Sequence, residues 1–116
     1  MSVANFVQTF HGHPSLPAAA ETLTGARTVT LADPLELWLD PGGADRVVTM
    51  PAEADVPGAY YRIANTANDD GEALTVNDDA SSPNLIVSIP RQRMATIYCD
   101  GSAWSVIGEF IVTSAT

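Results

Sequence analysis

The stretch Ile97-Tyr98-Cys99-Asp100-Gly101-Ser102-Ala103-Trp104-Ser105-Val106-Ile107 decides how the chain is read. Two short runs that alternate apolar and polar residues flank an Asp-Gly pair. Asp-Gly accommodates the positive φ values of a tight type I′ turn, whose twist suits the strands on either side. The stretch therefore predicts a β-hairpin with Asp100 and Gly101 at its tip. Trp104 is expected to lie across the hairpin, where its ring covers apolar area. Ile97 belongs to the core face of the same hairpin, and the lone Cys99 reads as a small half-buried residue beside the turn.

The pattern continues back to Gly25. Residues 27–31 alternate, with Val29 and Leu31 on one face. Residues 35–39 alternate again, with Leu35, Leu37 and Leu39 inward and Glu36 and Trp38 outward. An outward Trp marks a contact surface. Asp40-Pro41-Gly42-Gly43 is a turn, because Pro fixes φ and the glycines allow positive φ. Residues 46–50 form the next strand. Residues 59–65 place Tyr61 and Ile63 on one face and Tyr60 and Arg62 on the other. A turn at 68–71 leads to residues 73–77. Residues 85–89, with Val87 at the middle, are more apolar and read as a central strand. Residues 94–99 supply the first arm of the hairpin, and a last strand near 109–113 holds Phe110 and Val112. Eight or nine short strands at intervals of roughly ten residues predict an all-β fold, an antiparallel β-sandwich or barrel of jelly-roll-like type.

Residues 1–24 read differently, as an N-terminal arm preceding a single β domain over residues 25–116. Val3, Phe6, Val7 and Phe10 are spaced i, i+3, i+4, i+7, which suits one face of a short helix. An extended arm buried against another subunit fits the same residues. His11-Gly12-His13-Pro14 and Leu16-Pro17 interrupt regular structure. Residues 18–21 suit one helical turn.

At 116 residues, with 46% hydrophobic and 16% charged residues, the chain has the composition of one globular domain. Its charge is one-sided: fourteen acids against five basic residues, all arginine, for a formal charge of −9. That balance argues against nucleic acid as a partner, since little would neutralise phosphates, and against an anionic membrane surface. No apolar run is long enough for a membrane span, no secretory signal is evident, and one cysteine makes no internal disulfide. His11 and His13 form a His-x-His pair without an evident third ligand. Asp69, Asp70 and Glu72, then Asp78 and Asp79, are acidic loop clusters without EF-hand spacing. Neither predicts a metal, and no cofactor is expected. The nucleophile-elbow, zinc-protease, phosphate-loop and dithiol motifs are all missing, so the chain is not expected to be an enzyme.

One resemblance adds to this reading. Arg46-Val47-Val48-Thr49-Met50-Pro51, Pro57-Gly58-Ala59-Tyr60-Tyr61-Arg62-Ile63-Ala64-Asn65, Leu74-Thr75-Val76 and Tyr98-Cys99-Asp100-Gly101-Ser102-Ala103-Trp104 follow one another in an order that resembles small β-rich virion proteins of tailed bacteriophages. The resemblance spans about residues 27–108 and omits the arm. With one module and an arm, the chain looks most like a capsid decoration (cement) protein. The resemblance implies a structural protein on the outer surface of the virion capsid, a homotrimer whose partner is the major capsid protein. On that basis Val3, Phe6, Val7 and Phe10 would supply the capsid or subunit contact, with Trp38 or Tyr60 at a subunit contact. Head-fibre, tail-fibre or spike modules share the pattern. They would instead bind a host receptor or glycan, with Tyr60, Tyr61 or Trp104 stacking on sugar.

Overall fold

Alternation along the chain becomes nine strands in the computed structural model, which describes residues 18–68 and 71–112. They are β1 (Ala18–Thr22), β2 (Arg27–Thr28), β3 (Glu36–Asp40), β4 (Arg46–Thr49), β5 (Tyr60–Asn65), β6 (Leu74–Asn77), β7 (Leu85–Ile89), β8 (Arg93–Cys99) and β9 (Trp104–Ile111). A single 3-10 turn, Glu53–Asp55, lies between β4 and β5. The strands form a five-stranded sheet in the order β1-β3-β5-β8-β9 and a four-stranded sheet in the order β2-β4-β6-β7.

Both sheets are mixed. From β1 to β6 the chain steps to the other sheet at every strand, so each circuit lays a new strand parallel to the one before it in the same sheet. β1, β3 and β5 pair in parallel, as do β2, β4 and β6. Parallel neighbours need a crossover, and here the strand in the opposite sheet serves as that crossover in place of a helix. From β6 onward the pairing becomes antiparallel: β6 with β7, β5 with β8, and β8 with β9. The expected antiparallel arrangement is therefore corrected to two mixed sheets, and neither sheet closes into a barrel. Strand periodicity fixes which face is buried but is silent on which strand lies alongside. The segments read as reversals are instead corners that carry the chain across, and they extend the ladders. Leu23 N–H donates to the Asp40 carbonyl at 2.7 Å, Val29 N–H to Thr49 at 2.8 Å, and Met50 N–H to Asn77 at 2.9 Å.

One buried cluster draws on both sheets. Leu37, Leu39, Ile63 and Ile97 come from the five-stranded sheet, Val48, Leu74, Val76 and Ile89 from the four-stranded one, and Leu23, Val29 and Met50 from the corners. Truncating such a buried aliphatic residue to Ala costs about 2–5 kcal/mol. Val87 and Tyr61 join the cluster, as their alternation predicts. Leu31 and Leu35 do not: they are 65% and 52% exposed. Residues 30–33 form a turn closed by the Asp33 N–H to the Thr30 carbonyl, which takes Leu31 out of the alternation. Leu35 precedes β3 rather than continuing it.

A buried amide ties the sheets together. Asn65, fully buried at the end of β5, donates from Nδ2 to the carbonyls of Glu72 and Ile89, each at 2.9 Å. Its Oδ1 accepts the Ala67 N–H at 2.9 Å, closing the turn after β5. Removing the side chain would strand the buried Ile89 carbonyl, a loss of about 1–3 kcal/mol, and free the part-buried Glu72 carbonyl.

The expected helical turn at 18–21 is corrected to a strand. Ala18–Thr22 is a margin of the five-stranded sheet, held in register by Ala18 opposite Glu36 and Thr22 opposite Asp40. Residues 1–17, with Val3, Phe6, Val7, Phe10, His11 and His13, lie outside the described residues, as do Asp69 and Asp70.

Candidate functional site

The β8–β9 hairpin forms, but its connection is four residues long and not a type I′ turn. Cys99 pairs with Trp104, leaving residues 100–103 as the loop. A type I′ turn needs positive φ at both central residues. Here Gly101 has φ of 99° and Asp100 is not in that region. Asp100 closes the loop with its side chain, its Oδ1 accepting the N–H groups of Ser102 and Ala103, each at 2.8 Å. Those bonds stabilise the carboxylate and lower its pKa. Trp104 lies half-buried over the core face, 5.9 Å from the Tyr61 ring, and its indole N–H is buried without a partner among the described residues. Burial first, then the Asp33 carboxylate and Cys99, push the Tyr61 phenol pKa up. Cys99 is fully buried, with its Sγ 3.5 Å from the Glu53 carbonyl and 3.4 Å from the Gly101 N–H.

The outer face of the five-stranded sheet gathers the two contact residues expected in the β domain. Glu36, Trp38 and Asp40 alternate outward on β3 while Leu37 and Leu39 are buried. Tyr60 and Arg62 alternate outward on β5. Trp38 is level with Ala64, and Tyr60 stands four residues back along β5, so the two rings share a face but are about 13 Å apart along the strand. Trp38 Nε1 donates to Glu36 Oε2 at 2.8 Å, and Glu36 Oε1 lies 3.3 Å from Arg62. This chain of contacts holds the Trp38 ring against the sheet. Tyr60 is 54% exposed and meets Tyr98 of β8, ring centroids 4.7 Å apart and planes inclined by 43°.

Two depressions mark the same sheet. One, of 540 Å³, is lined by Arg62, Met94, Thr96, Ile107, Gly108 and Phe110. The other, of 460 Å³, lies beside Trp38 between Glu21, Asp40 and Thr66. The first was not evident from periodicity, because β9 carries a bulge. Thr96 pairs with Gly108 and Ile97 with Val106, so Ile107 is the extra residue and turns outward. A glycine inside a strand was the available signal, since it marks a bulge or a close approach. Phe110 lays its ring over Gly108, where an added Cβ would stand 3.1 Å from the ring. The separate strand expected to begin near residue 109 is thus the continuation of β9, which ends at Ile111; residue 113 lies outside the described residues.

Two of the loop acids, Asp78 and Glu72, are engaged by their own chain. Asp78, 8% exposed, accepts the N–H groups of Ala80 and Asn84 at 3.2 and 2.9 Å and the Asn84 side-chain amide at 2.9 Å. These bonds lower its pKa. Glu72 accepts the Gly43 N–H at 3.1 Å. Among the described residues no group of three or more His, Cys, Asp or Glu is placed to hold a metal ion.

No protein-family model matches this chain, and neither a curated protein nor a solved structure matches it.

Proposed function

We propose that the chain is a bacteriophage head decoration (cement) protein that binds the outer capsid surface as an oligomer and stabilises the shell of major capsid protein. We read its two sheets around one core as a β-sandwich that serves as a non-catalytic scaffold. The observation that carries this reading is the outer face of the five-stranded sheet, where Trp38 and the Tyr60–Tyr98 pair stand on regular strands and face outward. Aromatic residues on a rigid sheet lose little conformational freedom on binding and are enriched at protein interfaces. The four segments that carry the resemblance fall on β4, β5, β6 and the β8–β9 hairpin, which contribute to the core together with β3 and β7. The acidic surface keeps such a protein soluble at high local concentration.

The test is co-sedimentation with undecorated capsids. The chain should pellet with them, and Trp38→Ala or Tyr60→Ala should weaken binding about tenfold or more. Deleting residues 1–12 should weaken it further, through loss of the apolar arm. A chain that stays in the supernatant overturns the reading. The half-exposed Tyr60 beside Tyr98 also supports a second reading, a fibre or spike module that stacks on a host glycan. Binding to a glycan array by a chain that ignores capsids would favour that alternative.

A further inference from the structure

Among the described residues the outer margin of β9 is unpaired, and it is less protected than the other sheet margins. Unpaired N–H and C=O groups on an edge strand recruit further strands, so edges are kept short, charged or bounded by Pro. β2 is two residues long. β1 is five residues long, follows Pro17 and carries Glu21. β7 lies between Pro83 and Pro90. β9 is protected only by its one charge, Glu109, and by the bulge at Ile107: at eight residues it is the longest strand, and no Pro lies within it or beside it.

Both faces of that margin are apolar. Val106, Ile107, Phe110 and Ile111 are 41%, 57%, 57% and 64% exposed. Phe110 stands opposite Met94 on the outer face, whereas Val106 stands opposite Ile97 on the inner one. Val112 N–H donates to the Gln92 carbonyl at 2.8 Å. By the alternation of a strand, the N–H and C=O groups of Glu109 and Ile111 then point away from β8, out of the sheet.

Charge favours an identical margin as the occupant. At −9 overall, two copies repel on most approaches. Around β9 that repulsion is reduced, because Arg93 stands opposite Ile111 and Arg62, itself paired with Glu36, lines the outer face beside Gly108 and Phe110, while the strand carries one acid. Each copy brings both the acid and the cations, which suits a two-fold arrangement.

We propose that two copies of this chain join through β9, antiparallel about a two-fold axis, so that two five-stranded sheets become one of ten strands. The inference rests on the self-association contained in the function proposed above, but not on the capsid. Four half-exposed side chains and a strand margin from each copy bury about 1,000 Å² in total, the lower end for specific association. The contact is isologous and gives a dimer, not the three-fold assembly that the resemblance implies.

Sedimentation velocity from about 1 μM to about 1 mM tests this. The wild-type chain should shift from monomer to dimer across that range. Ile111→Lys and Phe110→Lys, both at exposed positions, should raise the dissociation constant about thirtyfold or more. Amide hydrogen exchange on the unaltered chain gives a second readout that needs no variant. The N–H groups of Glu109 and Ile111 should exchange at least about tenfold more slowly at the high concentration than at the low one. A monomer at every concentration, a trimer, or exchange at Glu109 and Ile111 that ignores concentration overturns the proposal. A monomer that still pellets with capsids removes this interface alone. A dimer that ignores capsids supports this interface and removes the capsid reading.

Discussion

Arg27 is held between two carboxylates. Its guanidinium reaches Glu21 at 3.0 and 3.2 Å and Asp33 at 2.8 and 3.1 Å, and it also donates to the Thr28 carbonyl at 2.8 Å. The hydrogen bond from Arg27, aided by the Thr30 N–H, lowers the Asp33 pKa from 3.8 to about 2 against the opposing effect of burial. Arg27 and Asp33 are each 18% exposed, so solvent screens the pair only partly. A carboxylate with a lowered folded-state pKa adds stability that is complete above its unfolded pKa and disappears as pH falls through its folded one. Asp33 should therefore contribute up to about 2 kcal/mol at pH 7, decreasing below about pH 4 and gone near pH 2. Urea unfolding of wild type and Asp33→Asn at pH 7, 4 and 2 measures this. The gap between them should close on acidification, and an equal gap at pH 7 and pH 2 would refute the role given to the ion pair. Nothing in the sequence announced this triad, since its members sit six residues apart on either side of Arg27 and meet only through a corner. Trp38 and Tyr60 were legible as outward residues because a strand's alternation is strict. Their separation across the sheet was not, because it depends on which strand lies beside which.

The corner after β3 shows where turn chemistry was legible and where it fell short. Asp40-Pro41-Gly42-Gly43 has the expected residues, and Gly42 and Gly43 take φ of 77° and 106°. Asp40 Oδ1 accepts the Gly42 N–H at 2.9 Å. The reason for glycine at position 42 is tertiary, however. A Cβ there would run into the Leu23 carbonyl oxygen, on the segment that carries the chain from β1 toward β2. Gly42→Ala should cost about 3 kcal/mol or more, while Gly43→Ala, with open space around it, should cost about 1–2 kcal/mol for its positive φ alone. Thermal unfolding of the two variants side by side checks the difference, and equal losses would mean that strain alone governs the corner. The same distinction runs through the elements. The first arm of the hairpin, β5 and β7 were legible to within a residue or so, because alternation and Asp-Gly or Pro boundaries are local. The parallel pairings were not, because no local pattern separates a corner that reverses the chain from one that sends it across. β1 was misread for a related reason: three alanines suit a helix, and only the neighbouring β3 makes a strand of them.

At the scale of the molecule, a charge of −9 on 116 residues means that the fold works against its own repulsion. Salt screens that repulsion over about 10 Å at 0.1 M. Raising sodium chloride from about 10 mM to about 500 mM should therefore raise the melting temperature by several degrees. A fall would mean that the three described ion pairs outweigh the excess of acid. The alternation of the first six strands between sheets has a bearing on synthesis as well as stability. A strand of either sheet reaches its parallel neighbour only after the chain has visited the other sheet, as Ala18 does with Glu36 and Arg46 with Leu74. The antiparallel β8–β9 pair, by contrast, closes over four residues. Contacts distant in sequence slow folding, so β8 and β9 should pair quickly once both have been made. β5, at the centre of the larger sheet, keeps one margin open until β8 has been made. A nascent chain stalled before residue 93 would then expose that margin to its neighbours on the same message, which makes the C-terminal hairpin the lock on a coil already wound.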